Sequence, residues 1–285
     1  MSAIYLSGQA VPRDISEAIA ERAGRLRGFA TRLLYFETLG STNDVADRLA
    51  SEGADHGTVV VADEQDRGRG RMGREWFSPP GAGLYVSVVL RPEPLAGAGR
   101  GGTAFGPSTV ASAASLTLTA GVALAEGLRF ATGLPVDVKW PNDLAVARRK
   151  LCGILAEACV ADNRLQHVVL GYGINLRPAS YPPELAGRVT SLEAELGRPV
   201  DRGAVLAETL ACLAERLREL PAGGFPRMLE RWSQLSPSSR GAEVEVLDAG
   251  AWTPVRTAGI DADGALLVET PDGPRRVIAG EIRWL

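Results

Sequence analysis

The chain has 285 residues, of which 45% are hydrophobic and 23% charged. At about 150 residues per domain that is one large domain or two unequal ones, with enough apolar side chain to exclude a wholly disordered polymer. The 31 Lys and Arg against 34 Asp and Glu leave a net charge of −3, which excludes a generally basic nucleic-acid coat protein but not a local basic patch.

Residues 14–30 carry Ile15, Ala18, Ile19, Ala23 and Leu26 at helical spacing and predict one amphipathic helix. Leu33–Phe36 predicts a strand ended by Gly40, and Ser41-Thr42-Asn43-Asp44 offers capping residues to a helix through Ala50. Thr58–Ala62 is a strand by its β-branched content, followed by a polar Gly/Arg segment from Asp63 to Glu75. Leu84–Arg91 is another strand. Residues 95–107 predict a flexible Gly-rich loop, and 111–130 a helix with Leu116, Ala120, Ala123, Leu124 and Leu128 on one side. No charge occurs between Arg100 and Glu126, but the stretch is mostly small residues, short of the about 20 predominantly apolar residues of a spanning helix. Val136–Trp140 is a short strand stopped by Pro141. Residues 150–159 and 166–170 predict paired strands, and Gly171–Asn175 breaks their pattern. Helices follow at 203–219 and 224–235. The Ser236-Pro237-Ser238-Ser239 segment marks a domain boundary, beyond which the period changes to two and a small β-barrel of 237–285 is expected.

Cys152, Cys159 and Cys212 form an odd set with no C-x-x-C pair, which argues against a disulfide framework or a cysteine zinc site; Cys152 and Cys159 read as core. His56 and His167 read as surface or loop histidines without a ligand cluster, so a His-dependent nucleophilic engine has no support. The N-terminus shows no signal peptide, and a cytoplasmic protein is expected.

Four segments carry chemistry. Gly68-Arg69-Gly70-Arg71-Met72-Gly73-Arg74 interleaves glycines, which let backbone N–H groups approach an anion, with arginines that grip carboxylate or phosphate bidentately. The spacing is neither a Walker nor a dinucleotide motif, and a solvated basic loop or an RGG-like RNA-binding segment remains open. Lys139-Trp140-Pro141-Asn142-Asp143 puts a lysine in an apolar strand end, where it needs an anionic partner or must snorkel to solvent. It is one of only two lysines, the other being Lys150. Gly171 and Gly173 after an apolar strand point to something pressing on the backbone, or to a bulge. Ser41, Thr42 and Asn43 suit a small polar head group or a simple helix cap. Trp76 and Phe77 flank the arginine loop or pack in the core.

Together these segments resemble biotin protein ligases. The matching pieces are GSTND (40–44), DEQDRGRGRMGREWFSPPGAGLYVSVVLRP (63–92), VKWPNDL (138–144), KLCGILAE (150–157) and GYGINL (171–176), and the likeness spans about 35–285. The resemblance implies an α+β fold, with a mixed, largely antiparallel sheet flanked by helices as in class II synthetases, over residues 1–236. A C-terminal SH3-like β-barrel would occupy 237–285. It implies that biotin and ATP are joined as biotinyl-5′-AMP and that biotin then passes to one lysine of a carboxylase carrier domain, with Mg2+ on the nucleotide.

Residue by residue, the resemblance assigns biotin contacts to Ser41, Thr42, Asn43, Gln65, Gly68, Gly70, Gly153, Gly171 and Gly173. Arg69 and Arg71 would close over both biotin and the adenylate. Lys139 would bridge the biotin carboxylate and the α-phosphate. Arg74, Trp76, Asn142 and Asn175 would stand on the nucleotide side, and no protein-only metal site is implied. Met72 leaves the loop one charge poorer than in many members, the 95–107 stretch looks like an insertion, and Cys152 replaces a commoner small residue. One helix before the first matching strand cannot make a helix-turn-helix, so no DNA binding is expected, nor any membrane contact. A monomer or weak homodimer is expected. Lipoate ligase and an arginine-loop nucleic-acid module with a steep salt dependence are the competing readings. Without ligand, residues 66–74 are expected to be mobile because unpaired arginines repel.

Overall fold

The computed structural model describes residues 8–92, 109–220, 223–248 and 250–285. The Gly-rich stretch 95–107 lies outside them. The first expected helix is two, α1 (Arg13–Glu21) and α2 (Ala23–Leu26), because the chain turns at Arg22 (φ −106°, ψ 9°). The turn lets Arg22 and Arg25 donate to the two oxygens of Glu208 at 2.7 and 2.6 Å. Glu208 is 3% exposed, and a carboxylate so buried demands such partners.

Seven strands form the main sheet in the order β1-β2-β3-β7-β6-β5-β4. They are β1 (Leu33–Leu39), β2 (Val59–Gln65), β3 (Gly83–Leu90), β4 (Asp137–Lys139), β5 (Asp143–Val146), β6 (Arg149–Ala161) and β7 (Arg164–Asn175). Only β1 and β2 run parallel, joined through α3 (Thr42–Ser51); the other pairings are antiparallel. This is the mixed, largely antiparallel sheet expected. Gly171–Asn175 does not break β7. It stays in register with both β6 and β3, because glycines there accept the close approach described below.

The alternation of strand side chains sorts the two faces. Val60, Val89 and Val169 pack with Ala46, Leu49 and Ala50 of α3. Val59, Val61, Val86 and Val88 join Leu116, Leu124 and Leu128 of α4 (Thr109–Thr132) and Leu206, Leu210 and Leu213 of α6 (Arg202–Glu219) on the opposite face. Each fully buried Leu or Val contributes about 1.5–3 kcal/mol. Two glycines set the helix spacing: a Cβ on Gly127 of α4 would lie 2.8 Å from Thr209 Cα, and one on Gly203 of α6 would lie 2.3 Å from the Asp14 carbonyl oxygen.

After α5 (Leu192–Leu196) and α7 (Phe225–Leu235), five antiparallel strands follow: β8 (Arg240–Asp248), β9 (Ala251–Ile260), β10 (Leu266–Thr270), β11 (Gly273–Val277) and β12 (Glu281–Trp284). Their order is β11-β10-β9-β8-β12. The short strands β11 and β12 are the edges of this sheet, and no pairing between them closes it among the described residues. Its inward Val244, Val246, Leu266, Val268 and Ile282 join the same buried core as α4 and α7. Trp140 Nε1 donates to the Gly264 carbonyl at 3.1 Å and fastens this sheet beside β4. Among the described residues no helix is long and apolar enough to cross a membrane.

Candidate active site

Three glycines on neighbouring strands make the floor of a cleft with a volume of about 200 Å3. Gly153 of β6 stands opposite Gly173 of β7, and Gly171 opposite Leu155. A Cβ on Gly171 would lie 2.1 Å from Asn43 Oδ1, and one on Gly173 would lie 2.4 Å from Trp76 Nε1. A Cβ on Gly153 would lie 2.7 Å from Trp76 Cζ3. What presses on the glycine backbone is thus a pair of side chains of the protein itself, Asn43 and Trp76. Only a chain without Cβ atoms there lets them lie so close to the sheet.

The start of α3 forms one wall. Ser41 occupies the N-cap position in extended conformation, yet its side chain makes no capping bond. Ser41, Thr42 and Asn43 are buried but line the cleft. The backbone N–H of Thr42 donates to Gln65 Oε1 at 2.8 Å, and its hydroxyl donates to the same oxygen at 3.1 Å. Gln65 Nε2 in turn donates to Ser78 Oγ at 3.0 Å. Asn43 accepts from Ser87 Oγ at 2.5 Å and donates to Glu157 Oε2 at 2.6 Å. Thr42, Asn43, Gln65, Ser78, Ser87 and Glu157 each have a partner, which is what a buried polar wall requires.

The arginine loop forms the lid side. Gly68 is buried behind the lining, where a Cβ would meet the Trp76 carbonyl oxygen at 2.3 Å. Residues Arg71–Gly73 make a single 3-10 turn with Met72 (φ 58°) and Gly73 (φ 72°) left-handed. Arg69 Nη2 pairs with Asp44 and with Glu157, each at 2.8 Å. Arg71 donates to Asn142 Oδ1 at 3.2 Å, and Arg74 pairs with Glu281 of β12 at 2.6 Å. Arg69, Arg71 and Arg74 are thus not unpaired: each has an oxygen partner from another element. Met72 is 66% exposed, so the missing charge sits on the solvent side of the turn. Burial holds the Arg71 guanidinium below its ordinary value, with Asp143 opposing that shift, so Arg71 is a desolvated cation in want of an anion.

The two lysines part company. Lys150 lines the cleft, its Nζ 2.7 Å from Asp143 Oδ1 and 5.0 Å from the Trp76 ring centre. Lys139 is not among the lining residues; its Nζ lies 5.5 Å from the ring centre of Trp284. Burial pushes the Lys139 ammonium below its usual value; Asp143 opposes this and Lys150 adds to it. Between them Trp140, Pro141 and Asn142 reach the cleft, and Asn142 Nδ2 donates to the Ile154 carbonyl at 2.7 Å. Asn175 donates to the Thr190 carbonyl at 2.9 Å. Trp76 Nε1 is buried against Gly173 and has no hydrogen-bond partner among the described residues.

The structure thus gathers Ser41, Thr42, Asn43, Gln65, Arg69, Gly70, Arg71 and Arg74 around one cleft. Trp76, Asn142, Gly153, Gly171, Gly173 and Asn175 line it as well; Gly68 stands directly behind, and Lys139, whose neighbour Trp140 lines the cleft, is not itself among the lining residues. Sequence reasoning missed Ser87, Glu157, Lys150 and Glu281. Ser87 had a signal, as the one aliphatic hydroxyl in the largely apolar run LYVSVVL. Glu281 had none, because only the docking of the second sheet brings it near. His167 is not a surface residue: it is 2% exposed on β7, and Cys159 opposite it is half-buried rather than core.

Residues 35–175 match the biotin/lipoate A/B protein ligase family, and residues 241–283 match the biotin protein ligase C terminal domain. The bifunctional ligase/repressor BirA of Bacillus subtilis is 33% identical over 274 residues, which cover 95% of this chain and 79% of that protein. The biotin–[acetyl-CoA-carboxylase] ligase of Paracoccus denitrificans is 32% identical over 254 residues, 85% of this chain and 96% of that one. The structure of the biotin protein ligase from Aquifex aeolicus in complex with biotin and ATP aligns with a TM-score of 0.71 and 28% identity, over 89% of this chain and 98% of the other. On the strength of these likenesses and of the cleft they share a fold with, the chain belongs to the biotin protein ligase family and is a biotin ligase enzyme.

Proposed function

We propose that this cleft joins biotin to AMP and then hands the biotinyl group to one lysine of a carboxylase carrier domain. The observation that carries the reading is the convergence of the glycine floor, the arginine loop and the Trp140–Asp143 turn that follows Lys139 on one cleft, although they lie far apart in the chain. The solved relatives with biotin and ATP, and the relatives named as acetyl-CoA-carboxylase ligases, support it.

A biotin carboxylate oxygen attacks the α-phosphorus of ATP, and the bond to the bridging oxygen breaks with its electron pair leaving on pyrophosphate. The acceptor amine then attacks the acyl carbon, loses a proton, and AMP departs. Both reactants of the first step are anions, so bringing them into contact is the main obstacle. Arg69 and Arg71 supply charge over the reacting oxygens, and Lys139 bridges the carboxylate and the α-phosphate as a strand-end cation. Ser41, Thr42, Asn43 and Gln65 hold the biotin head group against Gly171. Arg74, Trp76, Asn142 and Asn175 stand on the nucleotide side. No covalent nucleophile is required, and positioning alone is worth about 7–11 kcal/mol of barrier.

Magnesium enters as the counter-ion of the triphosphate. Asp143 and Glu281, carboxylates that line the cleft, are engaged by Lys150 and Arg74, so a bound magnesium ion would draw most of its ligands from the nucleotide. The catalytic unit is 1–236 and the C-terminal unit 237–285, acting in the cytoplasm as a monomer or weak homodimer. Helices α1 and α2 pack on α6, which supports a reading without operator binding by these helices.

The test is incubation with ATP and either biotin or lipoate, read by mass spectrometry. Biotinyl-AMP is expected; lipoyl-AMP alone overturns the reading. Nucleic-acid binding with a steep salt slope and no adenylate would make the loop a binding module instead.

A further inference from the structure

The polar row of the cleft wall continues one step outward. Asn43 and Asp47 are four residues apart in α3, hence on the same side of the helix. Glu157 and Cys159 are two apart in β6, hence on the same face of the strand. Asn43 meets Glu157 in the cleft wall; one turn along α3, Asp47 meets the next rung of the sheet. On that rung Cys159 stands directly opposite His167 of β7. Asp47 Oδ1 lies 2.8 Å from His167 Nε2, and one ligand atom from each of Asp47, Cys159 and His167 falls within 4.8 Å of the other two. No other such trio occurs among the described residues.

We propose that Asp47, Cys159 and His167 form a binding site for a thiophilic divalent cation of the Zn2+ class. A thiolate, an imidazole and a carboxylate together select a borderline-soft ion over Mg2+ or Ca2+, which take oxygen ligands. Ligand atoms around a tetrahedral ion with bonds of about 2.0–2.3 Å sit roughly 3.3–3.8 Å apart, so small side-chain rotations complete the site. His167 is 2% exposed and holds the buried side of the ion, while the Asp47 carboxylate is 57% exposed. Solvent water therefore takes the fourth position. The ion replaces the Asp47–His167 hydrogen bond, displaces the Cys159 thiol proton to solvent, and leaves any imidazole proton on Nδ1. It ties α3 to β6 and β7 beside the Asn43–Glu157 contact.

The experiment is titration of the full chain with Co2+, then competition by Zn2+. One equivalent per chain with a thiolate-to-cobalt charge-transfer band is expected, erased by Zn2+. Cys152 is 0% exposed and Cys212 8% exposed, so neither is placed to give that band. Cys159→Ser removes the band. Asp47→Asn, at an exposed position, weakens binding about 10–100-fold while the fold is kept. Zn2+ raises the Tm of the wild type but not of Cys159→Ser. Absence of the band in the wild-type chain, or a band of full strength in Cys159→Ser, overturns the proposal and leaves Asp47–His167 as a plain hydrogen bond.

Discussion

The Asn43 amide donates to the Glu157 carboxylate at 2.6 Å, and the same oxygen accepts Arg69 at 2.8 Å. One carboxylate thereby ties the start of α3, strand β6 and the arginine loop together. The position of the loop and the shape of the Asn43 wall of the cleft are thereby coupled.

Glu157→Gln keeps the size of the side chain and removes its charge. A hydrogen bond to a charged group is worth about 1.5–3 kcal/mol, so the biotin KM rises by about 10–100-fold with a smaller change in kcat. Steady-state kinetics at saturating ATP checks it. An unchanged KM removes Glu157 from the biotin end.

Gly171→Ala places a methyl group 2.1 Å from Asn43 Oδ1. Asn43 must leave the floor or α3 must shift, at a stability cost of about 1–3 kcal/mol. Calorimetry should find biotin affinity lowered at least about tenfold, since one misplaced contact of this size is worth some 1.4 kcal/mol or more. Urea denaturation reports the accompanying stability change.

Lys139→Ala is expected to cripple adenylate formation while leaving the fold intact, by about 100-fold or more in biotin-dependent ATP–pyrophosphate exchange. Near-normal exchange removes Lys139 from the mechanism. The pH dependence carries a sign. Burial lowers the Lys139 value in the free protein, and two bound anions raise it again. Binding of the anions therefore takes up a proton between those two values, and affinity falls as pH rises through the free-protein value. The same lowering makes the folded chain bind fewer protons than the unfolded one between its lowered value and 10.5, so this group's contribution to stability rises with pH there.

Arg71→Ala should leave the first step partly intact and weaken retention of the product. Its side chain spans from the loop to Asn142, so its loss unfastens the lid. Biotinyl-AMP should dissociate faster by about tenfold or more, the scale of one charge-assisted hydrogen bond, and label bystander lysines. An unaltered dissociation rate in stopped-flow chase experiments contradicts that role.

The motifs of the cleft were legible because each is local: a Gly/Arg loop after an apolar strand, a lysine before Trp-Pro, two glycines in a strand. The sequence alone could not show that Gly171 and Gly173 make room for Asn43 and Trp76, since those contacts join residues more than 90 positions apart. Lys150 looked like the start of a strand, and only the pairing of β5 with β6 brings it against Asp143. The break at Arg22 followed from Glu208, a buried carboxylate on α6 that helical periodicity does not reveal. The small β-barrel expected over 237–285 rested on period-two strands, and such a period marks the strands without fixing whether their sheet closes.

The most direct measurement is transfer of labelled biotin to an isolated carboxylase carrier domain, with and without ATP. Label should appear on one carrier lysine only when nucleotide is present, and Lys139→Ala and Gly171→Ala should each suppress it. Transfer that needs no ATP, or that proceeds undiminished in both variants, would contradict the account.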